Sequence, residues 1–198
     1  MADMKSAYER AMERVQGLGE ASAEEKAQWK YAPQGEALAV RYMKEKFDIA
    51  KEITALEPLA RKYVVKSAFQ SFISNIELPR SINIKDSTGT ALEGIRNLKK
   101  DNNALEGVLG KIKYILDHYE KDGALQREQA YQSLKQDFQE RIQRAVQQQT
   151  GASMPVNIDV EREPQFQQEW RATLNQLDSQ YYKLLDDYKK ELRVIFQS

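Results

Sequence analysis

Residues 95–123 read IRNLKKDNNALEGVLGKIKYILDHYEKDG. Within them Ile95, Leu98, Asn102, Leu105, Leu109, Ile112, Leu116 and Tyr119 recur at alternating steps of three and four. Side chains at that spacing share one stripe of an α-helix, and a sustained repeat of this kind marks a helix packed along a partner. The spacing predicts a helix over about 88–121. Lys121-Asp122-Gly123 follows, and glycine accepts the left-handed conformation that ends a helix. A tight reversal is expected there, sending a second helix back antiparallel over about 124–150.

Working outward, Leu125, Tyr131, Leu134, Phe138, Ile142 and Val146 line one side of the returning helix. Pro164 suits a first helical turn, where its missing N–H is no loss. It opens a last helix over 164–197 with Trp170, Leu174, Leu177, Tyr181, Leu184, Tyr188, Leu192 and Ile195 at helical spacing. Upstream, Leu38, Tyr42, Ile49, Ile53, Leu56 and Tyr63 predict helices over about 35–57 and 59–77, joined by a bend at Pro58. Residues 1–34 read as short amphipathic helices packing on this bundle. One runs from Asp3 to Leu18; the next is capped by Ser22 and closed by Pro33 and Gly35. The fold class is therefore all-α, an elongated antiparallel helical bundle with coiled-coil-like packing over residues 35–198.

Two linkers resemble each other: residues 80–86, RSINIKD, and 154–160, MPVNIDV. A reversal at Gly123 would place both at one end of the bundle. Ile82–Ile84 and Val156–Ile158 are then expected either to pair as a small two-stranded β patch or to form ordered loops whose Ile and Val side chains plug the core. Asn102 sits at a core-type position of the seam, where a buried amide costs stability and specifies register. It could pin an intramolecular register or pair with its twin in a homodimer.

Thirty Lys plus Arg balance thirty Asp plus Glu, so no net field draws the chain to nucleic acid or an anionic membrane. Lys99, Lys100, Lys111 and Lys113 make the seam helix locally basic, but interspersed acids blunt the patch, and nucleic acid is not an expected partner. Cysteine is absent, which removes disulfides, thiolate catalysis and thiolate metal sites. His118 is the only histidine, so di-iron and zinc-hydrolase ligand sets cannot be assembled; a solvent-facing residue near a helix C-terminus is the expected role. Gly107-Val-Leu-Gly110-Lys111 lacks the earlier Gly and the following Ser or Thr of a phosphate loop. No apolar run approaches the roughly 18 residues that span a bilayer, and the start Met1-Ala-Asp-Met-Lys-Ser lacks the apolar core of a signal peptide. A cytoplasmic location is expected.

No catalytic, cofactor-binding or metal-binding residues emerge, and no cofactor is expected. The sequence points to a non-enzymatic scaffold or protein–protein interaction protein, self-associating as a homodimer because narrow heptad helices leave apolar stripes for a second copy to cover. An adaptor or chaperone-like module holding client peptides at Trp29 and Tyr31 is the alternative, and a helical enzyme without a recognisable motif stands third. The candidate interaction or register residues are Trp29, Tyr31, Ile82, Ile84, Asn102, Val156 and Ile158.

Overall fold

A computed structural model describes residues 21–99, 102–150 and 159–197. These residues form helices α1 (Ala23–Lys44), α2 (Ile49–Thr54), α3 (Pro58–Ser74), α4 (Ile82–Leu98), α5 (Asn103–Thr150) and α6 (Pro164–Gln197), with a 3-10 turn at Val160–Arg162 and no strand among the described residues. The protein is all-helical and held by helix–helix packing. It divides into two compact units, the first from residues up to Asn75 with Thr90–Lys100, the second from Ile76–Gly89 with the residues from Asp101 onward. Helix α4 passes from the second unit into the first.

In the first unit, Ser22 caps α1 reciprocally. Its hydroxyl accepts from the Glu25 N–H at 3.2 Å, and the Glu25 carboxylate accepts from the Ser22 N–H at 2.7 Å. The helix does not stop at Pro33 and Gly35, as the sequence suggested, but continues to Lys44. A proline inside a helix forfeits one backbone bond; burial of Ala27, Gly35, Ala39 and Tyr42 along α1 outweighs that loss. Gly35 is there for closeness, since a β-carbon on it would lie 2.3 Å from the Val64 carbonyl oxygen of α3. A boundary at residue 34 therefore falls inside a helix. Pro58 opens α3 at its first turn instead of bending a continuous helix. Arg61 completes the junction, donating to the carbonyls of Ile53, Thr54 and Leu56 at 2.7–3.1 Å and so satisfying orphan acceptors at the end of α2. Around Phe72 the packing is equally tight: its ring lies 2.6 Å from where a Gly94 β-carbon would stand, and Tyr42 meets it edge-on at 5.6 Å.

The second unit departs most from expectation. No reversal occurs at Gly123; α5 is a single helix of 48 residues, about 72 Å at 1.5 Å per residue. Leu105, Leu109, Ile112, Leu116 and Tyr119 are buried as the heptad predicts, and the stripe continues through a buried Gly123 to Phe138. Gly in a helix interior costs about 1 kcal/mol relative to Ala, a small sum against one continuous apolar stripe. The partner of the seam is α6 and not residues 124–150. Contacts pair Lys111 with Glu191, His118 with Tyr181 and Arg141 with Glu169, so numbers fall along α6 as they rise along α5 and the two helices run antiparallel. The expected helix over 88–121 is also two helices, for α4 ends at Leu98 and α5 begins at Asn103.

The extended patch is overturned where it can be seen. Ile82–Ile84 form the first turn of α4, with the Ser81 hydroxyl accepting from the Ile84 N–H at 3.4 Å. Ser81 supplies a helix start that competes with the β-branched preference of its neighbours. Val156 and Ile158 lie outside the described residues.

Toward the far end of the α5–α6 pair, Phe138, Val160 and Phe166 form a small core with Tyr131, Leu134 and Ile142 against it. Lys135 bridges to Glu161 at 2.6 Å and Arg141 to Glu169 at 2.7 Å. Hydrogen bonds from Lys135 and then Tyr131 hold the Glu161 carboxyl below its ordinary range, and the Arg141 bond does the same for Glu169. A carboxyl depressed in the fold stabilises it above the ordinary value near pH 4.3 and loses that contribution as pH falls through its folded value. The melting temperature should therefore drop between about pH 5 and pH 3, and the Glu161→Gln/Glu169→Gln variant should show a shallower drop in the same thermal scans.

Glycine substitutions separate close approach from mere tolerance. Gly35→Ala should destabilise by about 3 kcal/mol or more, because backbone must move. Gly107→Ala and Gly110→Ala, whose β-carbons would meet nothing within 4 Å, should each stabilise by about 1 kcal/mol in urea titrations.

Candidate functional site

Stepping back from the buried Leu192 by four and three residues along α6 passes Tyr188, Leu185, Tyr181 and then Asp178. A carboxylate thus occupies the helix face that elsewhere carries Leu and Tyr. The Asp178 side chain is only 6% exposed, and burying a charge is costly unless cations or donors meet it. Three groups do. The Arg80 guanidinium donates from Nη2 to Oδ2 at 2.6 Å, the Tyr119 hydroxyl approaches Oδ2 at 3.4 Å, and Arg127 Nη1 stands 3.7 Å from Oδ1. Oδ1 itself accepts no hydrogen bond from the described residues.

Each partner is positioned by a second contact. Arg80, in the segment before α4, lies with its guanidinium 5.2 Å from the Tyr182 ring centroid. Arg127 folds back along α5, so that its guanidinium is 4.1 Å from the Tyr119 ring centroid and Nη2 donates to the Tyr119 carbonyl at 3.2 Å. Gly123 makes room for this. A β-carbon there would sit 3.1 Å from Arg127 Nη1 and 3.2 Å from the Tyr181 hydroxyl. The glycine expected to turn the chain instead lets a guanidinium and a phenol approach a straight helix.

Burial acts against the Arg80 charge, but hydrogen bonds to Asp178 and Tyr119 outweigh it and leave the guanidinium above its usual value. Burial pushes the Tyr181 phenol up. It does the same to Tyr182, against the opposing influence of Arg80, so both rings remain neutral near pH 7. Tyr119 meets Tyr181 edge-on at 5.1 Å, and the Tyr181 hydroxyl lies 3.0 Å from His118 Nδ1. His118 is consequently half-buried in mid-helix, not at a helix end as the sequence suggested, because α5 continues past it. A cavity of about 490 Å³ opens beside Asp178, bounded by Pro79, Arg80, Tyr119, Arg127, Arg171, Leu174 and Asn175. A separate groove of about 280 Å³ runs between Tyr114, Ile115, His118 and Gln126 of α5 and Gln180, Tyr181, Leu184 and Tyr188 of α6. Among the described residues no group of three or more His, Cys, Asp or Glu is placed to hold a metal ion, and no helix is long and apolar enough to cross a membrane.

The residues singled out from the sequence are divided between the two units, and Val156 and Ile158 lie outside the described residues. Trp29 is 68% exposed on α1, and Tyr31, two residues on, is half-buried on a different face. Ile82 is 67% exposed and Ile84 half-buried. Asn102 is not a core amide; its side-chain oxygen accepts from the Leu105 N–H at 3.1 Å and caps α5. Sequence reasoning missed Asp178 because Leu177 and Leu184 fit the apolar template, whereas the buried positions are Asp178 and Leu185. The phase of Tyr181, Tyr188 and Leu192, carried backward, would have found it.

Replacing Asp178 by Asn keeps the shape and removes the charge that two guanidiniums face. A hydrogen bond to a charged group contributes about 1.5–3 kcal/mol, so Asp178→Asn should lower unfolding stability by about 2 kcal/mol in urea denaturation.

No curated protein and no solved structure matches the chain. A family model matches residues 50–194, a stretch that contains Arg80, Tyr119, Arg127 and Asp178, and the chain belongs to that family, described as a family of unknown function, DUF6657.

Proposed function

We propose that this protein is a non-enzymatic helical interaction protein that self-associates through the groove between Tyr114 of α5 and Leu184 of α6. One observation carries the reading: in a chain with 30% charged residues, the groove's lining contains no Lys, Arg, Asp or Glu. Tyr114 is 72% exposed and Leu184 45%, and Leu125 extends the same stripe of α5 about three turns further on. A symmetric contact brings a patch against its own copy, so a charged patch repels itself and an uncharged apolar one does not. Two α5–α6 pairs meeting on this face would complete an elongated antiparallel bundle with coiled-coil-like packing. Such a role fits a cytoplasmic protein, as the composition suggests. The alternative, an adaptor that takes a client peptide, is favoured by the exposed Trp29 ring on α1.

Sedimentation of the full chain tests the first reading. A concentration-dependent dimer is expected at micromolar protein, converted to monomer by Leu184→Glu with helicity retained. A strict monomer at about 100 μM would overturn self-association and leave the adaptor reading.

A further inference from the structure

The cavity beside Asp178 holds more positive charge than its own residues neutralise. Arg80, Arg127 and Arg171 line it against the single carboxylate of Asp178, an excess of two charges among the described lining residues. Two of these guanidiniums are fixed in advance: Arg80 by its 2.6 Å bond to Asp178, and Arg127 by the Tyr119 ring and carbonyl. Groups ordered by folding cost a ligand little further ordering. Arg127 nonetheless keeps a donor in hand, because Nη1 stands 3.7 Å from Asp178 Oδ1, beyond hydrogen-bond reach. Arg171 lies seven residues before Asp178, about two turns and so on the same side of α6. It makes no ion pair or hydrogen bond with the described residues.

Guanidinium forks match the oxygens of phosphate, which they bind in pairs. An excess of two positive charges complements a dianion. The volume of about 490 Å³ falls within the range of small-molecule sites and well above the needs of a bare ion, while Tyr119, Leu174 and Pro79 give an apolar wall. We propose that this cavity binds a phosphate monoester, the phosphate held by Arg80, Arg127 and Arg171 and the organic body resting against Tyr119 and Leu174. The site shares no lining residue with the self-association groove and does not depend on that reading.

Calorimetric titration of the full chain at about 0.1 M salt with AMP, glucose 6-phosphate, inorganic phosphate and citrate tests the assignment. At least one of the two esters should bind with Kd below about 1 mM and more tightly than inorganic phosphate. Arg171→Gln should weaken that binding at least about tenfold, equivalent to about 1.4 kcal/mol. Its melting temperature should be unchanged, since Arg171 has no ion-pair or hydrogen-bond partner among the described residues, and Lys183→Gln on the same helix should bind as the parent does. Absence of binding by both esters would overturn the proposal. So would binding by citrate alone, equal binding of inorganic phosphate and the esters, or an Arg171→Gln variant that binds normally.

Discussion

Helix α5 keeps its hydrogen-bond ladder across Gly123, and the organisation of the second unit follows from that continuity. Were the chain to turn there, Tyr119 and Arg127 would lie on different helices with no common face. On one straight helix they are eight residues apart, stacked on each other, and both turned toward Asp178 of α6. Gly123 stands between them as the gap that admits the Arg127 guanidinium and the Tyr181 hydroxyl. The cost of glycine in a helix interior, about 1 kcal/mol, is thus offset by a contact that a larger residue would crowd. Asp178 in turn makes the α5–α6 register specific. A slip by one turn would leave a carboxylate in an apolar stripe without its cations, a penalty of several kcal/mol.

The two sides of this helix pair differ in chemistry. Around Asp178 the surface is cationic and polar, with the Arg80 and Arg127 guanidiniums anchored on Asp178 and Tyr119. The groove beside Tyr181 contains no Lys, Arg, Asp or Glu, with aromatic side chains on both walls and Ile115 facing Leu184 and the tyrosines of α6 along it. Tyr181 lines the groove and touches the cavity's Tyr119 through its ring and His118 through its hydroxyl. An event in the cavity that moved Tyr119 would therefore reach the groove through one side chain.

Periodicity made the helical class legible, and Leu105, Leu109, Ile112, Leu116 and Tyr119 are buried as their spacing requires. Pro164 opens α6 because a missing N–H is harmless in a first turn. The errors came where one residue type serves two ends. Glycine ends helices and also permits close approach, and nothing in Lys121-Asp122-Gly123 decides between them. Asn102 falls at seam spacing between Leu98 and Leu105, yet Asn is also a preferred helix cap, and an unbroken repeat hid that α4 ends at Leu98 and α5 begins at Asn103. Proline likewise deceived in both directions: Pro33 is tolerated inside α1, while Pro58 starts a helix. Ser81 outweighed the β-branched character of Ile82 and Ile84. The polar cluster was hidden for a simpler reason, since an apolar template one residue out of phase satisfies Leu177 and Leu184 and leaves Asp178 outside the stripe.

The continuity of α5 can be measured directly, because a chain without cysteine accepts spin labels only where cysteine is introduced. Labels at Lys113→Cys and Gln136→Cys flank Gly123 on exposed positions of α5. A continuous helix places their backbones about 35 Å apart, 23 residues at 1.5 Å each, and a pulsed dipolar distance distribution centred near that value is the expected result. A distribution centred below about 20 Å would mean that the chain reverses near Gly123 and brings two helices side by side at 8–10 Å, and the register built on Tyr119, Arg127 and Asp178 would fall with it.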